Sequence, residues 1–102
     1  QLLSSLGKVI RKVRTPFGKE ADAIWHYRGC NYVIEIKNYL RTKVTFSEIK
    51  QVLHYMTTLH YTNAIIIHLY PNDPPRIFFR DECKILIVNY GLLTSGKFLN
   101  YL

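Results

Sequence analysis

The period of the apolar positions changes several times along the chain, and each change marks an element. Over residues 2–14, LLSSLGKVIRKVR, Leu3, Leu6, Ile10 and Val13 recur at helical spacing. Lys8, Arg11 and Lys12 fall on another side, which predicts an amphipathic helix with a basic flank. Pro16 and Gly18 break it. Residues 21–28 and 31–38 read as two strands, and Gly29 within Arg28-Gly29-Cys30-Asn31 predicts the turn of a hairpin between them. Thr45-x-x-Glu48 is a capping box that sets a helix start near residue 46, followed by an apolar stripe of Ile49, Val52, Leu53, Met56 and Leu59. NAIIIHLY (63–70) is too uniformly apolar for a half-exposed strand and predicts a buried one. Beyond the PNDPP loop lie short strand-like runs at 76–80 and 84–89, and GLLTSGKFLNYL closes the chain as a helix.

Neither an internal repeat nor a composition shift divides residues 1–102, so a single domain is expected. The order of elements predicts an α/β fold, a central mixed β-sheet flanked by α-helices, with at least one parallel crossover where a helix joins two strands.

The hairpin carries charges that a structural hairpin does not need. Alternation puts Val33, Glu35 and Lys37 on one face and Ile34 and Ile36 on the other, where the isoleucines are expected to pack into the core. Asp22, on the partner strand far from the turn, is placed to reach the Glu35–Lys37 patch. Two carboxylates on one spot repel unless a cation sits between them, and a hard ion such as Mg²⁺ takes oxygen ligands of this kind. Such an arrangement suits phosphodiester hydrolysis. Lys37, beside two carboxylates, is expected to remain an ammonium that stabilises charge and orients water. Gln51 and Tyr55, four residues apart on the following helix, share a face and can lean over the same patch. The competing reading is a solvated ion pair between Glu35 and Lys37, with no catalytic role.

Composition points the same way. In 102 residues, 14 Lys and Arg against 7 Asp and Glu leave a net charge of +7, which favours a polyanionic partner, nucleic acid before membrane. Lys8, Arg11, Lys12, Arg41 and Lys43 are the candidate backbone contacts, with Tyr55 as a further nucleic-acid contact. Cys30 and Cys83 lie too far apart in sequence for a zinc knuckle and are too few for an iron–sulfur cluster; as free thiols they fit a reducing, cytoplasmic setting. No apolar run approaches the roughly 20 residues of a membrane span. His26 shares a strand with Asp22 and either borders the site or is a satisfied structural histidine; His54, His60 and His68 lack ligand spacing. The aromatic C-terminus (Tyr90, Phe98, Leu99, Tyr101, Leu102) offers a subunit interface, and a two-fold dimer would give two sites for two strands.

Asp22, the hairpin and Glu35-Ile36-Lys37 together resemble the PD-(D/E)xK nuclease superfamily, the restriction-endonuclease-like fold. Gln51-x-x-x-Tyr55 resembles its RecB-type branch, and GKEADAI with VIEIKNY is similar to archaeal Holliday-junction resolvases. The resemblance covers roughly residues 5–90 and implies a core of α-β-β-β-α-β type. It implies that Asp22 and Glu35 ligate Mg²⁺ or Mn²⁺ with the Ile36 carbonyl, that Lys37 assists the attacking water, and that Gln51 positions Lys37 or the substrate. The implied activity is a metal-dependent deoxyribonuclease, an endonuclease of resolvase or RecB-like type acting on DNA. Two features depart from the pattern. Residues 1–14 contain no acid where resolvases carry a glutamate in the first helix, so Glu20, or residues preceding Gln1, would have to supply one. No histidine precedes residue 26, where RecB-type proteins often have one. A non-catalytic nucleic-acid-binding module on the same fold is the alternative, and an assembly subunit is a third.

Overall fold

A computed structural model describes residues 2–16, 18–71 and 73–102; Phe17 in the expected break and Asn72 in the expected loop lie outside the described residues, as does Gln1. In chain order the elements are α1 (Leu2–Leu6), β1 (Lys8–Arg14), β2 (Glu20–Tyr27), β3 (Cys30–Lys37), α2 (Phe46–Leu59), β4 (Asn63–His68), β5 (Arg76–Arg80), β6 (Cys83–Asn89) and α3 (Tyr90–Thr94), with a short 3₁₀ turn at Lys97–Tyr101. Among the described residues the strands form one six-stranded sheet in the order β1-β2-β3-β4-β6-β5. The β1–β2 and β2–β3 pairs are antiparallel, β3, β4 and β6 are parallel, and β5 returns antiparallel on the far edge. The sheet is therefore mixed, and the helix between β3 and β4 makes the expected parallel crossover. No helix of the described residues is long and apolar enough to cross a membrane.

Helices cover the sheet on both faces. α2 closes one side over a core that includes Ile24, Val33, Val52, Met56, Ile66, Ile85 and Ile87. α1, α3 and the 3₁₀ turn close the other over Trp25, Ile34, Ile65, Ile67, Leu86 and Phe98. The three isoleucines of β4 divide between the two cores, which explains a strand with no polar face. Each fully buried side chain of this size contributes about 1.5–3 kcal/mol.

The local signals hold at two positions. Arg28 and Gly29, both at positive φ (51° and 77°), make the hairpin turn. At Thr45 the backbone N–H and hydroxyl both donate to the Glu48 carboxylate, and α2 begins at the next residue.

The N-terminal helix is the clearest correction. The expected helix over 2–14 stops at Leu6, and Lys8–Arg14 is a strand. Gly7 makes the switch possible, because a Cβ there would fall on the His26 carbonyl oxygen of the neighbouring strand. The β-branched Val9, Ile10 and Val13 then pair along β2. Trp25 Nε1 donates at 2.9 Å to the Leu3 carbonyl, which also accepts the Gly7 N–H at 3.0 Å, and so ties α1 to the sheet.

The C-terminal segment differs as well. Asn89 caps α3 by accepting from the Leu92 N–H at 2.8 Å, and Gly96 at φ 79° separates α3 from the 3₁₀ turn. Phe98 is fully buried in the core and so is no part of the expected subunit interface, while Leu99 and Leu102 are half-buried against the same core. Tyr90 and Tyr101 stay exposed.

Candidate active site

The site begins where the hairpin ladder fails. From the turn, β2 and β3 pair in register as far as Ala23 opposite Ile34. The next pair would be Asp22 with Glu35, and it is not formed. On the other side of β2 the ladder with β1 skips Lys12 and Asp22, and Lys12 takes a positive φ of 53°. Asp22 thus sits at an opening in the sheet, and its side chain replaces the missing backbone partner: Oδ2 accepts from the Ile36 N–H at 2.7 Å.

Glu35 is only 4% exposed, on the face covered by α2. Burial, then contact with the Asp22 carboxyl, pushes its pKa up to about 8 from an ordinary 4.5, and Lys37 opposes this without cancelling it. At neutral pH Glu35 therefore carries a proton that a nearby cation would displace. The competing reading, a solvated Glu35–Lys37 ion pair, does not fit: Glu35 is buried, and Lys37 Nζ donates to Gln51 Oε1 at 2.8 Å. Gln51 Nε2 donates in turn to the Tyr55 hydroxyl at 3.0 Å. Because one amide end meets a donor and the other an acceptor, the chain Lys37–Gln51–Tyr55 fixes the amide orientation. Burial and then the Glu35 charge raise the pKa of the Tyr55 phenol.

Asp22, Glu35, Lys37 and Gln51 are thus brought together. An exposed carboxylate, Asp22, against a buried one that holds a proton, Glu35, is the pair that would receive a divalent cation. Among the described residues no group of three or more His, Cys, Asp or Glu side chains is arranged to hold a metal. Glu20 does not complete a third acid; it is an exposed residue at the start of β2, opposite Arg14. The set suits Mg²⁺, which is commonly bound through one or two carboxylates with waters and substrate phosphate, better than it suits an all-protein cage.

Other expected contributors separate. Lys8, Arg11 and Lys12 are exposed along the edge strand β1, and Arg41 and Lys43 are exposed on the loop between β3 and α2. Tyr55 is 3% exposed, so its ring cannot offer a face to a base; its part is to hold Gln51. Ile36 is 46% exposed, because the sheet has already opened beside it, and it does not anchor the hairpin in the core as Ile34 does. Of Ile36 it is the N–H that the site engages. His26 lies toward the turn, bonded to Asn31 at 2.9 Å, a structural role.

One group was not legible in the sequence. His68, level with Lys37 on the adjacent strand, lies with Nε2 3.4 Å from buried Asp73, and burial lowers its pKa. Asp73 also meets Arg76 at 3.1 Å, and Arg76 donates to the Val44 carbonyl at 2.8 Å. This network braces the loop that leaves the site toward α2. The Asp-Pro-Pro sequence after Asn72 is its only local hint.

No family model matches the chain and no curated protein is similar to it, so the functional reading rests on this geometry and on the motif resemblance.

Proposed function

We propose that this protein is a divalent-metal-dependent nuclease that hydrolyses DNA phosphodiester bonds, with a restriction-endonuclease-like core and an endonuclease activity of resolvase or RecB-like type. The observation that carries the reading is the contact of exposed Asp22 with buried Glu35, with Lys37 held alongside by Gln51. The element order α1-β1-β2-β3-α2-β4 supports it, because it follows the α-β-β-β-α-β type of that core. The exposed basic side chains of β1 and the β3–α2 loop, on a chain of net charge +7, supply what a polyanion requires.

A bound Mg²⁺ or Mn²⁺ would neutralise the two carboxylates and stabilise charge developing on the phosphate. The chain's own residues have defined tasks. Asp22 is aimed by the Ile36 N–H, which fixes one oxygen and leaves the other for a ligand. Glu35, with its pKa raised to about 8, would release its proton to solvent on holding a cation. Lys37, tethered through Oε1 of Gln51, keeps two N–H bonds for an attacking water or a phosphate oxygen. Tyr55 holds Gln51 and thereby Lys37, as a positioning residue.

The test is cleavage of labelled duplex, single-stranded and four-way-junction DNA with Mg²⁺ or Mn²⁺, comparing wild type with Glu35→Ala. Metal-dependent cutting that Glu35→Ala abolishes is expected; equal cutting by that variant refutes the assignment. That no third acid joins Asp22 and Glu35 among the described residues is the observation behind the alternative, a non-catalytic nucleic-acid-binding module on the same fold. It predicts salt-sensitive binding and no cutting in either metal. A homodimer would let two sites address two strands.

A further inference from the structure

We propose that the cavity on the α1/α3 side of the sheet seats one unpaired nucleobase of the strand being cut, so that the preferred substrate has an unpaired or easily extruded nucleotide. This rests on the nuclease reading above and names its substrate class.

The cavity holds about 220 Å³. At about 30 Å³ per water that is the space of roughly seven waters, enough for one base ring system and too little for a base pair. Its walls are apolar, formed by Val9, Ile34, Ile67 and Leu93, which suits the faces of a planar ring. Four lining residues carry polar groups, Arg11, Asp22, Tyr90 and Thr94, the Thr94 hydroxyl donating to the Gly91 carbonyl at 3.1 Å. A base carries amine and carbonyl groups around an apolar plane, so carboxylate, guanidinium and hydroxyl answer its edge. An alkyl chain or an apolar side chain would leave them unused.

Placement argues more strongly than size. Asp22 belongs both to the cavity lining and to the carboxylate pair, and Ile36, whose N–H binds Asp22, lines the cavity too. The two compartments therefore meet at the gap where Asp22 fails to pair with either neighbouring strand. A phosphate at the carboxylate pair puts the attached base within reach of the cavity. Arg11 joins the cavity to the exposed basic row of β1, which gives the flanking phosphates a path across it. Tyr90, 54% exposed and also lining the cavity, can stack on the entering base. In continuous duplex the base must first be unpaired and unstacked, a cost that single strands, bulges and branch points do not carry.

The test uses the whole chain and Thr94→Trp, which fills the cavity from an exposed position outside the carboxylate–lysine group, with Thr94→Ser as the variant that keeps the space. The first readout is Mg²⁺-dependent cutting of single-stranded, single-base-bulged and continuous duplex DNA. At least tenfold faster cutting of the first two is expected, lost in Thr94→Trp and kept in Thr94→Ser, with thermal unfolding midpoints unchanged. Equal cutting of continuous duplex, or wild-type rates in a folded Thr94→Trp, overturns the cavity assignment and leaves the nuclease reading standing. The second readout needs no catalysis: metal-free titration of single strands carrying 2-aminopurine at successive positions. Saturating wild type should change the emission at one position at least twofold, and Thr94→Trp should not. Emission unchanged at saturation, or no binding at all, refutes the proposal, and absent cutting alongside a position-specific change refutes the nuclease reading alone.

Discussion

Replacing Glu35 with Gln removes an ionisable group while keeping its shape, and its effect on stability should depend strongly on pH. Burial and Asp22 raise the Glu35 pKa from 4.5 to about 8 in the folded chain. The sign follows from proton counting. Between about pH 4.5 and 8 the unfolded chain has released this proton and the folded chain still holds it, so stability falls as pH rises and levels off above about 8. At about 1.4 kcal/mol per pH unit the window from 4.5 to 8 is on the order of 5 kcal/mol, comparable with the whole stability of a small domain. His68 works in the opposite direction: burial lowers its pKa, so its contribution is lost as pH falls below about 6.5. The difference between wild type and Glu35→Gln isolates the acid from that background. Urea unfolding at a series of pH values, with EDTA present, is the assay. Glu35→Gln should gain on wild type steadily from pH 5 to 8, reaching a few kcal/mol, about 2–5 after relaxation around the site. Parallel curves for the two proteins across that window would refute the reasoning.

Further expectations follow from the same geometry. Gln51→Ala frees Lys37 and Tyr55 from each other; single-turnover cutting should fall about 10²-fold, in the range of a misplaced catalytic group, while unfolding changes by about 1 kcal/mol. Divalent metal should raise the thermal midpoint more at pH 8 than at pH 5, because cation and proton compete for Glu35, and Glu35→Gln should lose most of that gain. Reversing Lys12 to Glu should weaken DNA binding across all sequences and reduce the log–log salt slope by about 1 if this exposed side chain meets a phosphate. Gly7→Ala should destabilise by about 1–3 kcal/mol, because its Cβ would meet the His26 carbonyl; an unchanged thermal midpoint would show that β1 can move aside.

Local sequence determined the elements whose signals are local. The capping residues Thr45 and Glu48 start α2, Gly29 turns the hairpin, and the isoleucine run of β4 marks a strand buried on both faces. The order of Asp22, Glu35, Lys37 and Gln51 was likewise readable, because a hairpin returns the chain to the same end of the sheet and helical spacing puts Gln51 and Tyr55 on one face, although the Asp22–Glu35 pair itself is not formed. Residues 8–14 could not be read this way. Their apolar spacing suits a helix, yet β2 needs an edge partner and Gly7 alone lets the chain approach it closely enough. Phe98 and Tyr55 were ambiguous for the same reason: an aromatic side chain reads alike whether it faces core, partner or solvent. The protonation of Glu35 is a tertiary property altogether. Its tripeptide is unremarkable in water; burial under α2 and the carboxyl of Asp22, brought close by a gap in the sheet, are what hold the proton on. Sequence spacing chose the partners, and burial decided their charge, because desolvation depends on what packs around a group and not on its neighbours along the chain.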